Sequence, residues 1–325
     1  MTCILVTGGC GFIGSNFLNY MVNQHPQTHF VNLDCMNYCS SLKNITVGDA
    51  SNYTFIKGKI QDKDLVNHIL VSYKVDMVVH FAAQSHVDGS FESSLNYTYD
   101  NVLGTHILLE CARNYGKLAR FIHISTDEVY GESGMEAAEE KKTETSVLCP
   151  TNPYAATKAA AELIATSYYH SYKLPIIITR GNNVYGPRQY IEKVIPRFIH
   201  LLSNNEKCTI HGTGENLRAF IHVDDVATAV ETIMMRGEVG QIYNIGSPEE
   251  ISVKDVAQKL VALVANGSAT EDHITYVEDR KFNDKRYYIS DEKLRGLGWS
   301  STISFDKGLE DTVRWYVKHM STQWA

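Results

Sequence analysis

The sequence predicts an α/β fold, a doubly wound parallel sheet with a smaller C-terminal α/β lobe, and three observations carry that prediction. Short β-branched runs alternate with longer helical stretches through the first half of the 325 residues, the order expected of parallel strands covered by helices on both faces. The strand-like runs are nearly continuous in apolar residues, as strands buried on both sides require. Beyond Gly181 the alternation becomes irregular and polar, Gly-rich loops such as 186–192 and 211–217 appear. A first unit over residues 1–180 and a second over 181–325 follow, with a segment near 220–245 expected to return to the first.

In chain order, the runs Cys3–Thr7, Phe30–Asp34, Thr54–Lys57, Met77–Ala82, Arg120–Ser125 and Pro175–Thr179 read as strands. Between them Phe12–Gln24, Lys63–Lys74, Asn101–Tyr115 and Pro153–Tyr172 carry the 3.6-residue period of helices. Right-handed crossovers then join the strands. With 44% hydrophobic and 21% charged residues, the composition is that of an ordinary globular protein and excludes disordered, collagen-like and coiled-coil chains.

The formal charge of −7, from 30 Lys+Arg against 37 Asp+Glu, leaves no basic surplus for neutralising a nucleic-acid backbone. No apolar run approaches the ~20 residues that span a bilayer, and the first residues enter a strand directly, so a cytosolic location is expected. Seven cysteines scattered over the chain suit free thiols better than a disulfide framework. Cys35 and Cys39 have no second ligand pair nearby, so no metal site is expected. The N-x-[ST] sequons at Asn44, Asn52, Asn96 and Asn266 read as ordinary asparagines in that compartment.

Chemistry concentrates at the expected carboxyl edge of the sheet. Gly8, Gly11 and Gly14 lie between the first strand and the first helix, the spacing that turns the chain tightly, admits a pyrophosphate to the backbone and packs helix on strand in Rossmann-type units. Unpaired N–H groups at the helix start favour phosphate. Asp34 stands 20 residues after Gly14 at the end of the second strand, where a carboxylate accepts ribose hydroxyls and repels a 2′-phosphate. NAD is therefore expected rather than NADP. Tyr154 and Lys158, four residues apart in a helical stretch, share one face. A phenol of pKa about 10 needs roughly 4 kcal/mol of stabilisation to act as a base near pH 7. An ammonium ~4 Å away supplies about that much, so Lys158 is expected to lower Tyr154.

Together with these motifs, Ser125-Thr126-Asp127-Glu128-Val129-Tyr130-Gly131, Asn182-Asn183-Val184-Tyr185-Gly186-Pro187 and Glu192-Lys193-Val194-Ile195-Pro196 resemble the nucleotide-sugar 4,6-dehydratases of the extended short-chain dehydrogenase/reductase superfamily. The resemblance covers nearly the whole chain. His80–Asp88 and Arg180–Gly186 are more similar to the UDP-glucose 4,6-dehydratase part of plant rhamnose synthases than to the bacterial dTDP-glucose enzymes, which usually have Glu at the place of Gln84 and Arg at that of Gly89. It implies NAD-dependent oxidation at C4 of a hexose with Tyr154 as base, removal of the C5 proton by Glu128, protonation of the leaving C6 hydroxyl by Asp127, and return of hydride to C6.

Thr126 and Lys158 complete the implied catalytic set. Phe12, Ile13, Ile60, Ala82, Ala83 and Asn101 are implied to join the three glycines, Asp34, Tyr154 and Lys158 around the cofactor. Ser85, His86, Asn183, Lys193, Arg218, Asn244 and Arg280 are implied around the nucleotide diphosphate. Lys59 stands where relatives usually place an adenine-holding aspartate. A four-helix homodimer through 101–115 and 153–172 is also implied.

Asp127 and Glu128 pose a geometric condition, because neighbours in an extended strand face opposite ways. The backbone must therefore leave the strand at Thr126. A nucleotide-sugar 4-epimerase shares the cofactor and the Tyr154–Lys158 pair but needs no carboxyl pair, while an inactive NAD-binding scaffold typically lacks the tyrosine or the lysine.

Overall fold

The computed structural model describes residues 2–136, 139–265, 270–279 and 283–323. β1 (Cys3–Thr7) leads into α1 (Phe12–Gln24), β2 (His29–Asp34), β3 (Tyr53–Lys57), α2 (Lys63–Ser72) and β4 (Met77–His80). Two short helices, α3 (Val87–Glu92) and α4 (Ser94–Tyr97), pass through a π-helical turn at Thr98–Leu103 into α5 (Gly104–Tyr115). β5 (Arg120–Thr126), α6 (Pro153–Tyr172) and β6 (Ile176–Gly181) follow. The remainder supplies β7 (Asn183–Tyr185), α7 (Val194–Ser203), β8 (Cys208–His211), β9 (Leu217–His222), α8 (Val223–Arg236), β10 (Ile242–Ile245), β11 (Glu250–Ser252), α9 (Val253–Val264), β12 (Ile274–Val277), α10 (Glu292–Arg295) and α11 (Phe305–Gln323).

Seven strands form one sheet in the order β3-β2-β1-β4-β5-β6-β10, and every pairing in it is parallel. The strand order reverses between β1 and β4, which opens a crevice at their carboxyl ends, the usual ligand position of such sheets. β10 is contributed from well beyond β6 and lies against it, Asn244 opposite Arg180. The second half adds a three-stranded sheet, β11-β9-β7, and a two-stranded one, β12-β8.

Burial explains the layers. Phe17, Met21, Val226, Val230 and Ile233 of α1 and α8 cover one face of the large sheet. Ile69, Leu70, Leu108, Leu109 and Ala165 of α2, α5 and α6 cover the other. A separate core of Phe198, Leu202, Leu260, Leu309 and Tyr316 holds the C-terminal lobe. Each fully buried side chain of this size contributes about 1.5–3 kcal/mol, so packing on both faces fixes the strand ends that carry the site.

The strands expected from sequence are present with shifted ends. β4 stops at His80 rather than Ala82, where the chain runs so close to Gly8 that a Cβ on the glycine would lie 2.6 Å from the Ala82 nitrogen. The helix expected from Asn101 becomes α-helical only at Gly104. The wide turn before it lets the Asn101 amide reach out of the helix, and single π turns of this kind gather at functional sites. Among the described residues, no helix is long and apolar enough to cross a membrane, and no group of three or more His, Cys, Asp or Glu is arranged to hold a metal. All seven cysteines are unpaired thiols.

Candidate active site

A cavity of about 530 Å³ opens at the β1/β4 crevice, within the size range of small-molecule sites. Gly8, Gly11, Phe12, Ile13 and Gly14 form one wall, Asp34, Ile60, Lys59 and Gln61 the far end, and Ala82, Ala83, Ser85, Tyr154 and Lys158 the near end. Gly8 has φ +72° and Gly14 admits no Cβ, which would fall 2.4 Å from the Gly8 carbonyl oxygen. At Gly11 a Cβ would meet only that same oxygen, at 3.3 Å. This glycine caps α1 without any side-chain hydrogen bond and with no acidic residue in the first turn. Free helix-start N–H groups thus meet an open cradle, the chemistry that holds phosphate.

Asp34 is buried, its two carboxylate oxygens accepting from the Cys10 N–H (2.9 Å) and the Met36 N–H (2.8 Å). The carboxylate is thereby oriented at the cavity's end, with lone pairs left for a diol. These residues fit a dinucleotide such as NAD. Asn101 lies behind the wall instead of lining it. Its amide accepts from the Gln84 N–H (2.7 Å) and donates to the Gln84 carbonyl and to the Thr157 hydroxyl (3.0 Å each).

The carboxyl pair meets its geometric condition. β5 ends at Thr126, and a 3-10 turn, Asp127–Tyr130, begins at once with the Thr126 hydroxyl accepting from the Glu128 N–H. Asp127 is 2% exposed and accepts from the Asn182 amide at 2.6 Å. Burial first, and the Glu128 charge second, push its carboxyl up to about 7. Glu128 accepts from the Asn152 amide (3.1 Å), and burial raises its carboxyl as well. Asn152 was not singled out from sequence and Asn182 was quoted only within a motif, without a role, because both reach the carboxyls through contacts distant along the chain.

Tyr154 and Lys158 are both buried at the start of α6, where the Asn152 carbonyl oxygen of the side chain caps the helix through the Ala155 N–H. The phenol is raised from its ordinary value. Burial, then Glu128, raises the phenol, and Asp127 adds to that, against a lowering hydrogen bond with Thr126. Lys158 donates to the Ile124 carbonyl at 2.6 Å, and burial brings its ammonium down to about 8 against the opposing pull of Glu162. The ammonium is thus anchored to β5 beside the helix that carries Tyr154.

A second cavity, about 190 Å³, is lined by His86, Glu128, Asn183, Lys193, Arg218 and Asn216. Lys193 caps α7 and donates to the Ser85 carbonyl at 2.7 Å, so Lys193 spans both cavities. Arg218 lies over the Tyr287 ring, 4.9 Å from its centroid, and donates to the Asp284 carbonyl at 2.7 Å. Asn244 does not belong here. It is fully buried, its side-chain oxygen accepting from the Tyr130 hydroxyl (2.8 Å) and its amide donating to the Ser290 carbonyl (2.9 Å). Its place on β10 turns it into the sheet packing. Arg280 lies outside the described residues, as does Asn266.

The sequence matches the GDP-mannose 4,6 dehydratase family over residues 5–312. The chain belongs to that family. Among curated relatives, the chain is 47% identical over 317 residues, 97% of its length, to a trifunctional UDP-glucose 4,6-dehydratase, 3,5-epimerase and reductase of Arabidopsis thaliana. The chain spans about half of that relative, 47% of its length. Among solved structures, the dTDP-glucose 4,6-dehydratase DesIV of Streptomyces venezuelae, crystallised with NAD, superimposes with a TM-score of 0.92 at 37% identity, 98% of each chain covered. A UDP-glucose 4-epimerase of Thermotoga maritima superimposes at 0.89 with 27% identity, covering 98% of this dehydratase-family chain and 100% of the epimerase.

Proposed function

We propose that the chain catalyses the NAD-dependent 4,6-dehydration of a nucleotide-diphosphate glucose, UDP-glucose first, to the 4-keto-6-deoxy sugar. The observation that carries this reading over a 4-epimerase is the turn at Thr126, which sets Asp127 and Glu128 beside Tyr154. An epimerase needs the phenol alone. Gly8–Gly14 and Asp34 would hold NAD, which when bound would supply the acceptor for the C4 hydride and the donor that returns it to C6.

The chain's own groups do the rest. Tyr154 in its phenolate form, its oxygen held by the Thr126 hydroxyl, takes the C4 hydroxyl proton as the ketone forms. A ketone at C4 makes the C5 proton removable. Glu128 takes that proton, while Asp127 donates one to the C6 hydroxyl so that water leaves. A carboxyl near 7 can hold this proton at physiological pH, which an ordinary aspartic acid cannot. With Asp127 neutral, one of the two charges opposing Tyr154 ionisation is gone.

Lys193, Arg218 and Asn183 form the anion-binding wall for the diphosphate, Arg218 by its fork. Residues 1–180 with α8 and β10 form the cofactor unit in this reading, and the rest of the second half holds the sugar nucleotide. The chain works as a homodimer through α5 and α6 in a reducing cytosol, in keeping with seven free thiols.

Incubation of the protein with NAD and UDP-glucose or dTDP-glucose, followed by alkaline absorbance of the 4-keto-6-deoxy product and sugar analysis, tests the assignment. A C4 epimer as sole product overturns it. Glu128→Gln is expected to oxidise C4 yet lose about 100-fold or more in dehydration, seen as a 4-keto-hexose trapped by borodeuteride.

A further inference from the structure

Outside both cavities lies a buried charge that the proposed chemistry does not use. Arg180 of β6 is 3% exposed and its partner Glu162 of α6 is 1% exposed. Arg180 Nη2 and Nε both donate to Glu162 Oε2, at 2.7 and 3.0 Å, and Nε also reaches Oε1 at 3.3 Å, so the guanidinium engages both carboxylate oxygens. Its remaining branch, Nη1, donates to the Tyr130 hydroxyl at 2.8 Å and to the Glu144 carbonyl at 3.3 Å, and the guanidinium carbon sits 4.7 Å from the Tyr130 ring centroid. The Tyr130 hydroxyl in turn donates a hydrogen bond to the Asn244 Oδ1 at 2.8 Å. The donors of Arg180 are therefore divided between two elements, Nε and Nη2 going to α6 and Nη1 to the Asp127–Tyr130 turn.

Those elements are the two that carry the reacting groups. Glu162 is one helical turn beyond Lys158 and two beyond Tyr154, on the same face of α6. Tyr130 closes the four-residue turn that starts at Asp127. Two residues along β6 and its exit, on the same side as Arg180, Asn182 holds Asp127 at 2.6 Å. A buried ion pair of this kind is seldom worth its desolvation as a source of stability and is often replaceable by apolar residues. Its location therefore needs another explanation.

We propose that Arg180 is a positioning residue that fixes the register of the Tyr154–Lys158 helix against the Asp127–Glu128 turn, so that oxidation at C4 and loss of water at C5–C6 occur on one bound sugar. Glu162 and Tyr130 are its two anchors. The proposal rests on the dehydratase reading above and adds a group that touches neither sugar nor cofactor. Disturbing it leaves binding intact and uncouples the two steps.

The test uses the full chain with NAD and UDP-glucose, quenched with sodium borodeuteride. Label at C4 of a sugar that keeps its C6 hydroxyl reports oxidation without dehydration, and the 6-deoxy sugar reports both. In Arg180→Met/Glu162→Leu the pair is replaced without leaving a lone charge. This variant is expected to raise the trapped 4-keto-hexose share about tenfold, with KM for UDP-glucose within about twofold of the parent. Tyr130→Phe, which removes only the bridging hydroxyl, is expected to raise it about threefold and decides the question if the double variant does not fold. Folded variants that partition the sugar as the parent does, or that change KM alone, overturn the role of Arg180. A parent that forms neither product leaves Arg180 without a step to couple and overturns the proposal together with the dehydratase reading, a result distinguishable from an unchanged partition.

Discussion

At Asp127, folding and chemistry are coupled through one proton. Below the ordinary carboxyl value of 3.8 the group is protonated in folded and unfolded chains alike. Between 3.8 and about 7 only the folded chain keeps the proton, and above that the buried group must ionise. Its contribution to stability is therefore fully present below 3.8 and is lost as pH rises through about 7. Three units correspond to roughly 4 kcal/mol, set against the Asn182 hydrogen bond. Asp127→Asn is expected to raise the thermal midpoint by about 5 °C at pH 8, a gain that shrinks toward pH 5, while dehydration falls about 100-fold or more. Calorimetry across pH checks the first part. In the parent, the water-loss step is expected to slow above pH ~7 as the acid is spent. An unchanged midpoint at pH 8 speaks against the burial argument.

Among the elements, the glycine turn is the least forgiving. Gly8→Ala forces a side chain onto a backbone with φ +72° and against the Ala82 nitrogen, costing about 1–2 kcal/mol for the dihedral alone and pushing β4's exit into the cavity. NAD binding, read by thermal shift on adding the dinucleotide, is expected to disappear while a folded transition remains. Strands and helices around this turn were legible because apolar runs and the 3.6-residue period are local. Gly8, Gly11, Gly14 and Asp34 were legible for the same reason, each at a fixed offset from a strand end. What governs the second half of the site is not local. Asn182 reaches Asp127 across 55 residues and Lys158 reaches the Ile124 carbonyl across 34, so the spacing of Tyr154 and Lys158 revealed who is present but not the burial and the Glu128 and Asp127 carboxyls that raise the phenol. Asn244 lies in the sheet because β10 returns to β6, a return expected near 220–245 but without the pairing that sets Asn244 opposite Arg180. The π turn at Asn101 likewise follows from what its amide grips outside the helix.

At the scale of the molecule, exposed apolar residues remain on α4, the π turn and α6. Leu163 of α6 is 64% exposed, Leu95 of α4 81%, and Tyr99, Leu103 and Tyr172 lie about half exposed. Exposed apolar residues gathered on helices fit a face shared by two copies around a twofold axis. The parent is expected to elute and scatter light as two chains and Leu163→Glu as one, with the far-ultraviolet spectrum unchanged. A parent of one chain removes the dimer from the proposal.

The partition between the two cavities has its own consequence. Gln189, Glu192 and Lys193 line both. This strip is tied down at several points, by the Tyr316 hydroxyl on the Gln189 carbonyl, the Tyr38 hydroxyl on Glu192 at 2.9 Å and Lys193 on the Ser85 carbonyl. A party wall cannot yield to one tenant without altering the room of the other. Whatever factor an occupant of the larger chamber imposes on affinity in the smaller one must be repaid identically in the reverse direction, because the free energy around the closed thermodynamic square sums to zero.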